Sequence, residues 1–352
     1  MRQTRTARAG YEGGGMRRAS SLPRRGGALL AVGVLCVGLA SCGSSDDDDS
    51  AKTGKDSQTG SAGAFPVTLQ HSQGKAELAS APKRVVALSA MDLDAAISLG
   101  VEPVGAAKDP FAKSGVSPWL SDKLDSETEL INTTPDMPFE KIAALEPDLI
   151  LATGDYGISK NYARLSQIAP TLAPGKSAAE DSWQSREEKI GKALGKPDEA
   201  KKAVGDTEKL IAATARRYPK LEGRTFSASY AYSATQIATI ASPDDFAVKF
   251  LQALGLEVNP TLQGTEKSAS KTQPGMLSPE QAEKLASDLT VIGFTSPQVR
   301  NTLEKGPSFT KVKTTGVYAP VDNATITELR NPSILGIPWL LDELAPSFKA
   351  VK

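Results

Sequence analysis

The chain has few of the residues that build metal sites or nucleophilic active sites. It contains two cysteines, Cys36 and Cys42, and a single histidine, His71, among 352 residues. A bare transition-metal ion needs several His, Cys or clustered carboxylate ligands, and a Ser–His–Asp triad would have to use His71, which precedes the predicted strands. The motifs Gly-x-Ser-x-Gly and His-Glu-x-x-His and a phosphate-binding loop are also missing. We therefore predict no direct metal ligation, no cofactor and no enzymatic reaction.

An excess of positive charge is missing as well. The full chain has 41 Lys and Arg against 41 Asp and Glu, and residues 42–352 alone have 34 against 40. A net negative protein is repelled by phosphate backbones and anionic surfaces. The charge balance therefore argues against nucleic acid as a partner and against direct binding to a lipid surface.

The N-terminal residues have the features of a targeting segment. Basic residues precede a short apolar run, Gly26 to Leu39, and the following residues Ala40-Ser41-Cys42 complete a tetrad that resembles the bacterial lipobox. This order predicts a signal peptide over 1–41 and a lipidated Cys42, so that no disulfide forms in the mature protein. A plain secretory signal with an incidental cysteine is the alternative. Met1 and Met16 both stand as possible start residues, and both Sec and twin-arginine export stay open.

The expected location follows from that segment. Residues 42–64 are rich in Gly, Ser, Ala and Asp and have almost nothing apolar to bury, which predicts a disordered tether. We expect an exported protein on the extracytoplasmic face of the cell membrane, which contacts the membrane only through its lipid anchor.

A short pattern occurs twice in the globular part. It lies in PFEKIAALEPDLILATG at 138–154 and in SPEQAEKLASDLTVIGFT at 278–295, and in both copies a Glu is followed by Leu at five, Asp at eight and Leu at nine residues. A second pair, at 91–105 and 245–259, runs an apolar helix into Leu-Gly and a new strand. The matching order predicts an internal duplication and two lobes with a cleft between them.

Strand-like and helical runs alternate on both sides of a long helical segment. The Ala-, Lys- and Glu-rich stretch from Pro197 to Tyr218 predicts a stiff helix between the lobes. We predict an α/β fold with two βαβ-type lobes, with mainly parallel sheets, joined by a single long backbone helix. The predicted limits are 65–196, 197–220 and 221–352. A closing helix is predicted over 333–344, interrupted at Pro338.

The order and spacing of these segments resemble the substrate-binding proteins of ABC importers for iron–siderophores, haem and cobalamin. The similarity covers about 65–350 and includes 74–106, 138–154 and LSQIAPTL at 165–172. It implies two α/β lobes joined by a backbone helix, a ligand in the cleft, a lipid anchor, and an ABC permease with its ATPase as partners. It also implies that Glu140 and Glu280 dock onto permease arginines; as first-turn glutamates, both are also favoured by the helix dipole.

Ligands in such lobes meet the loops beyond the carboxyl ends of parallel strands. These loops are Ser89–Met91, Lys108–Phe111, Thr153–Tyr156, Tyr230–Ser233 and Phe294–Ser296, with a further loop near Asp322 and Arg330. Aromatic side chains suit the apolar rim of a chelate, and basic ones suit its negative charge. The predicted cleft residues are Lys108, Tyr156, Tyr230, Tyr232, Phe294 and Arg330. Trp119 and Trp339 are interpreted as packing residues.

These observations predict a lipid-anchored receptor that captures a small-molecule metal chelate, a ferric siderophore, and delivers it to a permease. Cobalamin or haem is the alternative ligand. A lipoprotein that binds a protein or cell-wall partner without transport is the alternative function. The chelator class stays open at this point.

Overall fold

Helices and strands alternate along the chain, as its apolar runs separated by Gly and Pro predict. A computed structural model describes residues 65–262 and 275–352. The predicted signal peptide 1–41, the tether 42–64 and Cys42 lie outside the described residues. The strands are β1 Val67–His71, β2 Gly74–Leu78, β3 Val85–Ala87, β4 Gly105–Ala107, β5 Glu129–Ile131, β6 Leu149–Leu151, β7 Thr171–Leu172, β8 Thr225–Ser233, β9 Gln236–Ile240, β10 Glu257–Val258, β11 Gly275–Leu277, β12 Leu289–Phe294 and β13 Val317–Val321. The helices are α1 Ala90–Ser98, α2 Phe139–Ala144, α3 Ile158–Ile168, α4 Trp183–Ala193, α5 Pro197–Arg217, α6 Phe246–Ala253, α7 Pro297–Glu304, α8 Pro307–Thr314, α9 Asn323–Arg330 and α10 Gly336–Ala350.

The first half of the chain forms a parallel sheet with the strand order β5-β4-β3-β6-β7. Its central strands β3 and β6 are short runs of Val, Ala, Leu and Ile that are buried on both faces, as strands covered by helices on each side must be. All their carboxyl ends point to one edge, where the loops leading to α1, α2 and α3 emerge.

The second half forms a sheet with the order β11-β9-β8-β12-β13, and β10 pairs with the start of β8. The pairs β8–β10, β8–β12 and β12–β13 are parallel, whereas β9 and β11 are antiparallel to their neighbours. The predicted fold class, two βαβ-type lobes with mainly parallel sheets, is confirmed.

The two copies of the repeated pattern have the same structural role. The Asp148 carboxylate accepts the backbone N–H of Lys83 and of Arg84, each at 2.8 Å, at the start of β3. The Asp288 carboxylate accepts the N–H and the hydroxyl of Thr225, each at 2.8 Å, at the start of β8. In both halves the Asp thus fastens the strand that follows it to its parallel neighbour.

The second repeated pair matches too. Gly100 and Gly255 follow α1 and α6 with φ of 67° and 94°, a left-handed conformation that favours glycine. The next residue in each copy, Val101 or Leu256, donates its N–H back to a carbonyl of the preceding helix, at 2.9 Å and 3.2 Å. The strands that follow, β4 and β10, pair with β3 and β8, which the Asp residues fasten.

Helix α5 connects the halves. Ala200 in its first turns packs into the core of the first half, whereas Val204 and Ile211 pack into the core of the second. Because a helix of 21 residues is stiff, this connection limits relative motion of the halves. The limits 65–196, 197–220 and 221–352 remain a prediction.

The closing helix differs from its predicted form. It begins at Gly336 and runs to Ala350, so Pro338 lies in the first turn, where a missing N–H leaves no helical hydrogen bond unmade. The proline inside the helix is Pro346. The β1–β2 hairpin, which contains His71, is not among the predicted elements; its turn residues are Ser72 and Gln73, and Gly74 follows them with φ of 135°.

Across 65–262 and 275–352, no helix has both the length and the apolar character needed to cross a membrane.

Candidate functional site: a cavity between the two halves

A cavity of about 350 Å³ lies where the carboxyl edge of the first sheet faces the second half. The first half lines it with segments 88–91, 107–111, 133–134 and 154–156 and with Ser117 and Trp119. The second half contributes Ala324, Thr327, Glu328, Asn331 and Ser333. The position agrees with the general rule that ligands of α/β proteins bind beyond the carboxyl ends of parallel strands.

A buried carboxylate holds two of the lining loops together. Asp92 of α1 accepts the N–H of Thr153 at 3.0 Å and of Gly154 at 3.3 Å, and the Ser89 hydroxyl donates to it at 2.6 Å. Burial raises the pKa of Asp92, while the hydrogen bonds from Ser89, Thr153 and Gly154 oppose the rise. A Cβ at Gly154 would collide with the Ser89 hydroxyl, so glycine is required for this close approach.

The loop after β4 presents Lys108 and Phe111 to the cavity. Asp109 shapes this loop by accepting the Phe111 N–H at 2.9 Å and the Ser117 hydroxyl at 2.7 Å. Gly115 has φ of 78° and closes the loop through a carbonyl that accepts the Asp109 N–H at 2.9 Å. The Phe111 side chain remains 57% exposed, although its backbone is fixed. It is therefore held as an apolar surface without a protein partner covering it.

The opposite wall is formed by α9 and the residues after it. The Tyr156 hydroxyl donates to the Asn331 side chain at 2.7 Å, which links the two halves across the cavity. Burial raises the pKa of this hydroxyl, and the positive charges of Arg330 and Arg186 act in the opposite direction. The Tyr156 side chain as a whole is 65% exposed, so one end is fixed while the ring stays accessible.

Beneath the cavity, Asp94 of α1 ties the halves together. Its carboxylate accepts the Trp119 Nε1–H at 2.7 Å, the Ser333 hydroxyl at 2.8 Å and the Leu335 N–H at 3.0 Å. Burial raises the pKa of Asp94 to about 6, although these hydrogen bonds stabilise the ionised form. Trp119 also packs on Trp339 of α10, with ring centroids 5.0 Å apart. The two tryptophans thus pack as expected, and Trp119 lines the cavity as well.

Further buried charges surround this junction. Glu328 lies at the cavity wall with 2% exposure and accepts the Ser333 N–H at 2.7 Å. Burial and the negative charge of Asp94 raise its pKa well above the usual value. Arg186 is 4% exposed and donates to the Ala178 and Asp181 carbonyls, each at 3.3 Å. In the described part of the chain its Nε finds no hydrogen-bond partner.

The structure brings two of the six predicted cleft residues, Lys108 and Tyr156, into the cavity wall. Phe294 is 8% exposed and packs in the core of the second half. The Tyr230 hydroxyl donates to Asn323 at 3.1 Å, and its ring meets Tyr232 edge to face with centroids 4.7 Å apart. Neither tyrosine lines the cavity, because β8 continues into the hairpin with β9 instead of ending in a loop.

Arg330 is the last residue of α9. It lies next to the lining residue Asn331 but does not itself line the cavity. Burial raises the pKa of Tyr156, Tyr230 and Asp245, and the positive charge of Arg330 opposes each rise. Its Nε is buried without a hydrogen-bond partner among the described residues. The predicted binding roles of these six residues stay predictions.

Sequence reasoning missed the lining residues on and after α9, Thr327, Glu328 and Asn331. A capping signal was available, since Asp322 accepts the Thr325 N–H at 2.8 Å and begins the helix. The sequence analysis predicts a loop near Asp322 and Arg330, whereas the structure has the helix α9 between them. Which face of α9 turns to the first half depends on tertiary packing, and the sequence does not give that.

The two predicted docking glutamates occupy equivalent exposed positions. Glu140 lies in the first turn of α2, with Arg164 at 3.3 Å. Glu280 lies in the first turn of the 3-10 helix 279–285, where the Ser278 hydroxyl hydrogen-bonds to it and lowers its pKa. Their docking role stays a prediction.

Within 65–262 and 275–352, no group of three or more His, Cys, Asp or Glu side chains is arranged to hold a metal ion.

Two α/β halves, a connecting helix and a cavity between the halves define a bilobed solute-binding protein. The periplasmic binding protein family model matches residues 85–315, more than half of the chain. The chain therefore belongs to the periplasmic binding protein family. This is a family of binding proteins, and on that ground the prediction that the chain is not an enzyme is confirmed.

Known proteins of this kind resemble the chain over most of its length. A putative ABC transporter substrate-binding lipoprotein of Bacillus subtilis, YhfQ, is 27% identical over 334 residues, covering 92% of this chain and 98% of the relative. The crystal structure of Streptococcus pneumoniae PiaA in complex with ferrichrome has 25% identity and a TM-score of 0.67, covering 81% of this chain and 99% of that one. Staphylococcus aureus SirA complexed with staphyloferrin B has 25% identity and a TM-score of 0.68, covering 80% and 98%.

Proposed function

We propose that this protein is the substrate-binding component of an ABC importer and captures a ferric siderophore in the cavity between its halves. The observation that carries the proposal is the cavity itself, which is accessible, about 350 Å³ in volume, and lined by exposed aromatic side chains. A protein that had lost transport would have no need to keep such a cavity free of its own side chains. The solved structures of PiaA in complex with ferrichrome and of SirA complexed with staphyloferrin B support iron chelates as the ligand class.

The chelate arrives with its iron already bound. Among the described residues, the cavity wall contains no His or Cys, and His71 lies in β1, where its ring meets Tyr162 at a centroid distance of 5.3 Å. The protein therefore recognises the outer surface of the chelate and leaves the iron coordination to the chelator. The same placement gives haem no histidine ligand in the cavity.

Binding is tested by quenching of tryptophan fluorescence, because Trp119 lines the cavity. Ferric hydroxamates, catecholates and carboxylates, haem and cobalamin form the panel. We expect saturable quenching by at least one ferric siderophore class. Quenching by haem or cobalamin alone would mean that this compound, and not a siderophore, is the ligand. If no compound of the panel quenched the fluorescence, the transport function would be wrong.

The complex then docks onto the permease and its ATPase through Glu140 and Glu280. Their equivalent positions on the two halves suit a symmetric pair of permease arginines, since Arg–carboxylate pairs give orientation as well as attraction. A lipid anchor on Cys42 and the tether 42–64 would keep the protein close to the permease on the extracytoplasmic face.

Docking is tested with a double variant, Glu140→Ala with Glu280→Ala. We expect chelate affinity within a factor of about two of the wild type and loss of iron uptake in cells. The matched control combines Glu188→Ala on α4 with Glu343→Ala on α10, two exposed glutamates outside α2 and the 3-10 helix 279–285, and should keep uptake. Normal uptake in the first double variant would disprove the docking role.

A further inference from the structure

The charges that line the cavity are unusual for a site that receives a highly anionic ligand. Within the described ranges, Lys108 is the one cationic side chain in the wall, whereas Asp109 and Asp155 contribute carboxylates. Glu328 adds a buried carboxyl group whose raised pKa favours the neutral form, so the negative charge of the wall comes from the two aspartates. An anion-binding wall would be expected to carry the opposite balance.

The two aspartates are fixed by the fold. Asp109 accepts the Phe111 N–H and the Ser117 hydroxyl. Asp155 accepts the Gly157 N–H at 2.7 Å, which shapes the loop that precedes α3. Since both carboxylates hold loops in place, neither is free to swing away from an incoming ligand.

The nearby arginines do not reverse this balance. Arg186 is almost fully buried, and its positive charge interacts with Asp92, Asp181 and Glu328. Arg330 lies outside the wall and interacts with Asp245, a carboxylate at the start of α6. Each guanidinium therefore faces at least one acidic neighbour of its own.

The remaining wall suits a ligand with an apolar or neutral surface. Met91, Phe111, Trp119 and Tyr156 line the cavity, and Phe111 and Tyr156 are 57% and 65% exposed. Exposed large aromatic side chains in a concave site commonly mark the contact surface for a ligand. Their ring faces also attract cations.

Ferric chelates differ in net charge by class. Three hydroxamates each bring one negative charge and neutralise Fe³⁺, so a ferric trihydroxamate is neutral, or positive when its chain carries an amine. Three catecholates leave a charge of −3, and ferric citrate complexes are also anionic.

We infer that the cavity selects ferric trihydroxamates of zero or positive net charge over anionic catecholate and citrate chelates. This inference rests on the proposed function and narrows its ligand to one chemical class. Aromatic contact gives the affinity, and the acidic wall provides the discrimination.

The test compares four iron-loaded probes by quenching of tryptophan fluorescence: a neutral trihydroxamate, an amine-bearing trihydroxamate, ferric citrate and a ferric tricatecholate. We expect both trihydroxamates to bind at least about 100-fold more tightly than the tricatecholate at low ionic strength. Raising the salt concentration should leave the affinity for the neutral probe within about twofold, because only charged pairs are screened. Tighter binding of citrate or catecholate would overturn the inference while leaving the proposed function standing. Failure of all four probes would overturn both.

A substitution that adds a positive charge to the cavity wall tests the role of the wall charges directly. Thr134→Lys adds a second cation at the cavity rim and should improve binding of the tricatecholate at least about fivefold. Thr310→Lys adds the same charge on α8, away from the cavity, and should leave all affinities within about twofold of the wild type. Equal gains from both variants would contradict a role for the wall charges.

Discussion

The two halves of the molecule repeat one plan where their strands begin and differ where their strands end. At the starting edge, Asp148 and Asp288 fasten corresponding strands with the same kind of hydrogen bond. At the carboxyl edge, the first half opens into the loops that line most of the cavity, whereas the second half supplies mainly α9. The repeated residues are thus those that build the framework, and the halves differ where they line the cavity.

The reason for the difference is the path of the chain after β8. In the first half, β3 ends in a loop that leads into α1, and Ser89–Met91 face the cavity. In the second half, β8 runs for nine residues and turns into β9, so Tyr230 and Tyr232 belong to a sheet. The second half lines the cavity mainly through α9, which follows β13. The two halves therefore contribute differently to the cavity wall, although their strands begin in the same way.

The largest expected effect lies at Asp94, which joins the halves. Asp94→Ala leaves the buried donors of Trp119, Ser333 and Leu335 without their acceptor. We expect a loss of about 3–5 kcal/mol in the free energy of unfolding, measured by chemical denaturation. The exposed Asp342→Ala on α10 should cost under about 0.5 kcal/mol.

A destabilised Asp94 variant need not fold, so a smaller change keeps the junction testable. Ser333→Ala removes one of the three donors and should cost about 1 kcal/mol. If neither substitution lowered stability beyond that of Asp342→Ala, the halves would not be tied through this carboxylate.

The second prediction compares the repeated aspartates directly. Asp148→Ala and Asp288→Ala each remove an acceptor of two hydrogen bonds at the start of a parallel strand. Because both sites are partly exposed, we expect each to cost about 1–2 kcal/mol in unfolding free energy. Costs that differ by more than about 1.5 kcal/mol would show that the two framework positions are not equivalent.

The third prediction compares two exposed aromatic residues, one in the cavity wall and one outside it. Phe111 lines the cavity and is 57% exposed, whereas Tyr232 lies on β8 and is 43% exposed. Phe111→Ala should weaken chelate binding about tenfold, and Tyr232→Ala by less than about twofold, in fluorescence titration. The sequence predicts Tyr232 as a cleft residue, so a loss at Tyr232→Ala as large as that at Phe111→Ala would favour the loop rule over the observed cavity.

The sequence predicts the framework of the two halves, whereas tertiary contacts determine which side chains line the cavity. The repeated pattern, the Leu-Gly helix ends and the helical stretch from Pro197 were enough to predict both halves and α5. Lys108 and Tyr156 were located because βα loops in a parallel sheet share one edge. Glu328 and Asn331 were not located, since the orientation of α9 depends on contacts such as Tyr156–Asn331, whose partners are 175 residues apart.

The last expected effect depends on pH and concerns the buried carboxyl of Glu187, on the first-half side of the junction. Burial, reinforced by the charge of Asp94, raises its pKa to about 8 against the hydrogen bond from Ser98. A raised folded-state pKa means that the folded protein holds this proton more tightly than the unfolded chain does. The stability from this group is therefore complete below pH 4.5 and is lost as the pH rises to about 8.

Glu187→Gln cannot ionise and keeps an oxygen that accepts the Ser98 hydroxyl. Its free energy of unfolding should fall less steeply between pH 5 and 8, by at most about 1.4 kcal/mol per pH unit relative to the wild type. Glu188→Gln, exposed on the same helix, should keep the wild-type slope. Parallel curves for the wild type and Glu187→Gln would contradict a raised pKa of this carboxyl in the folded protein.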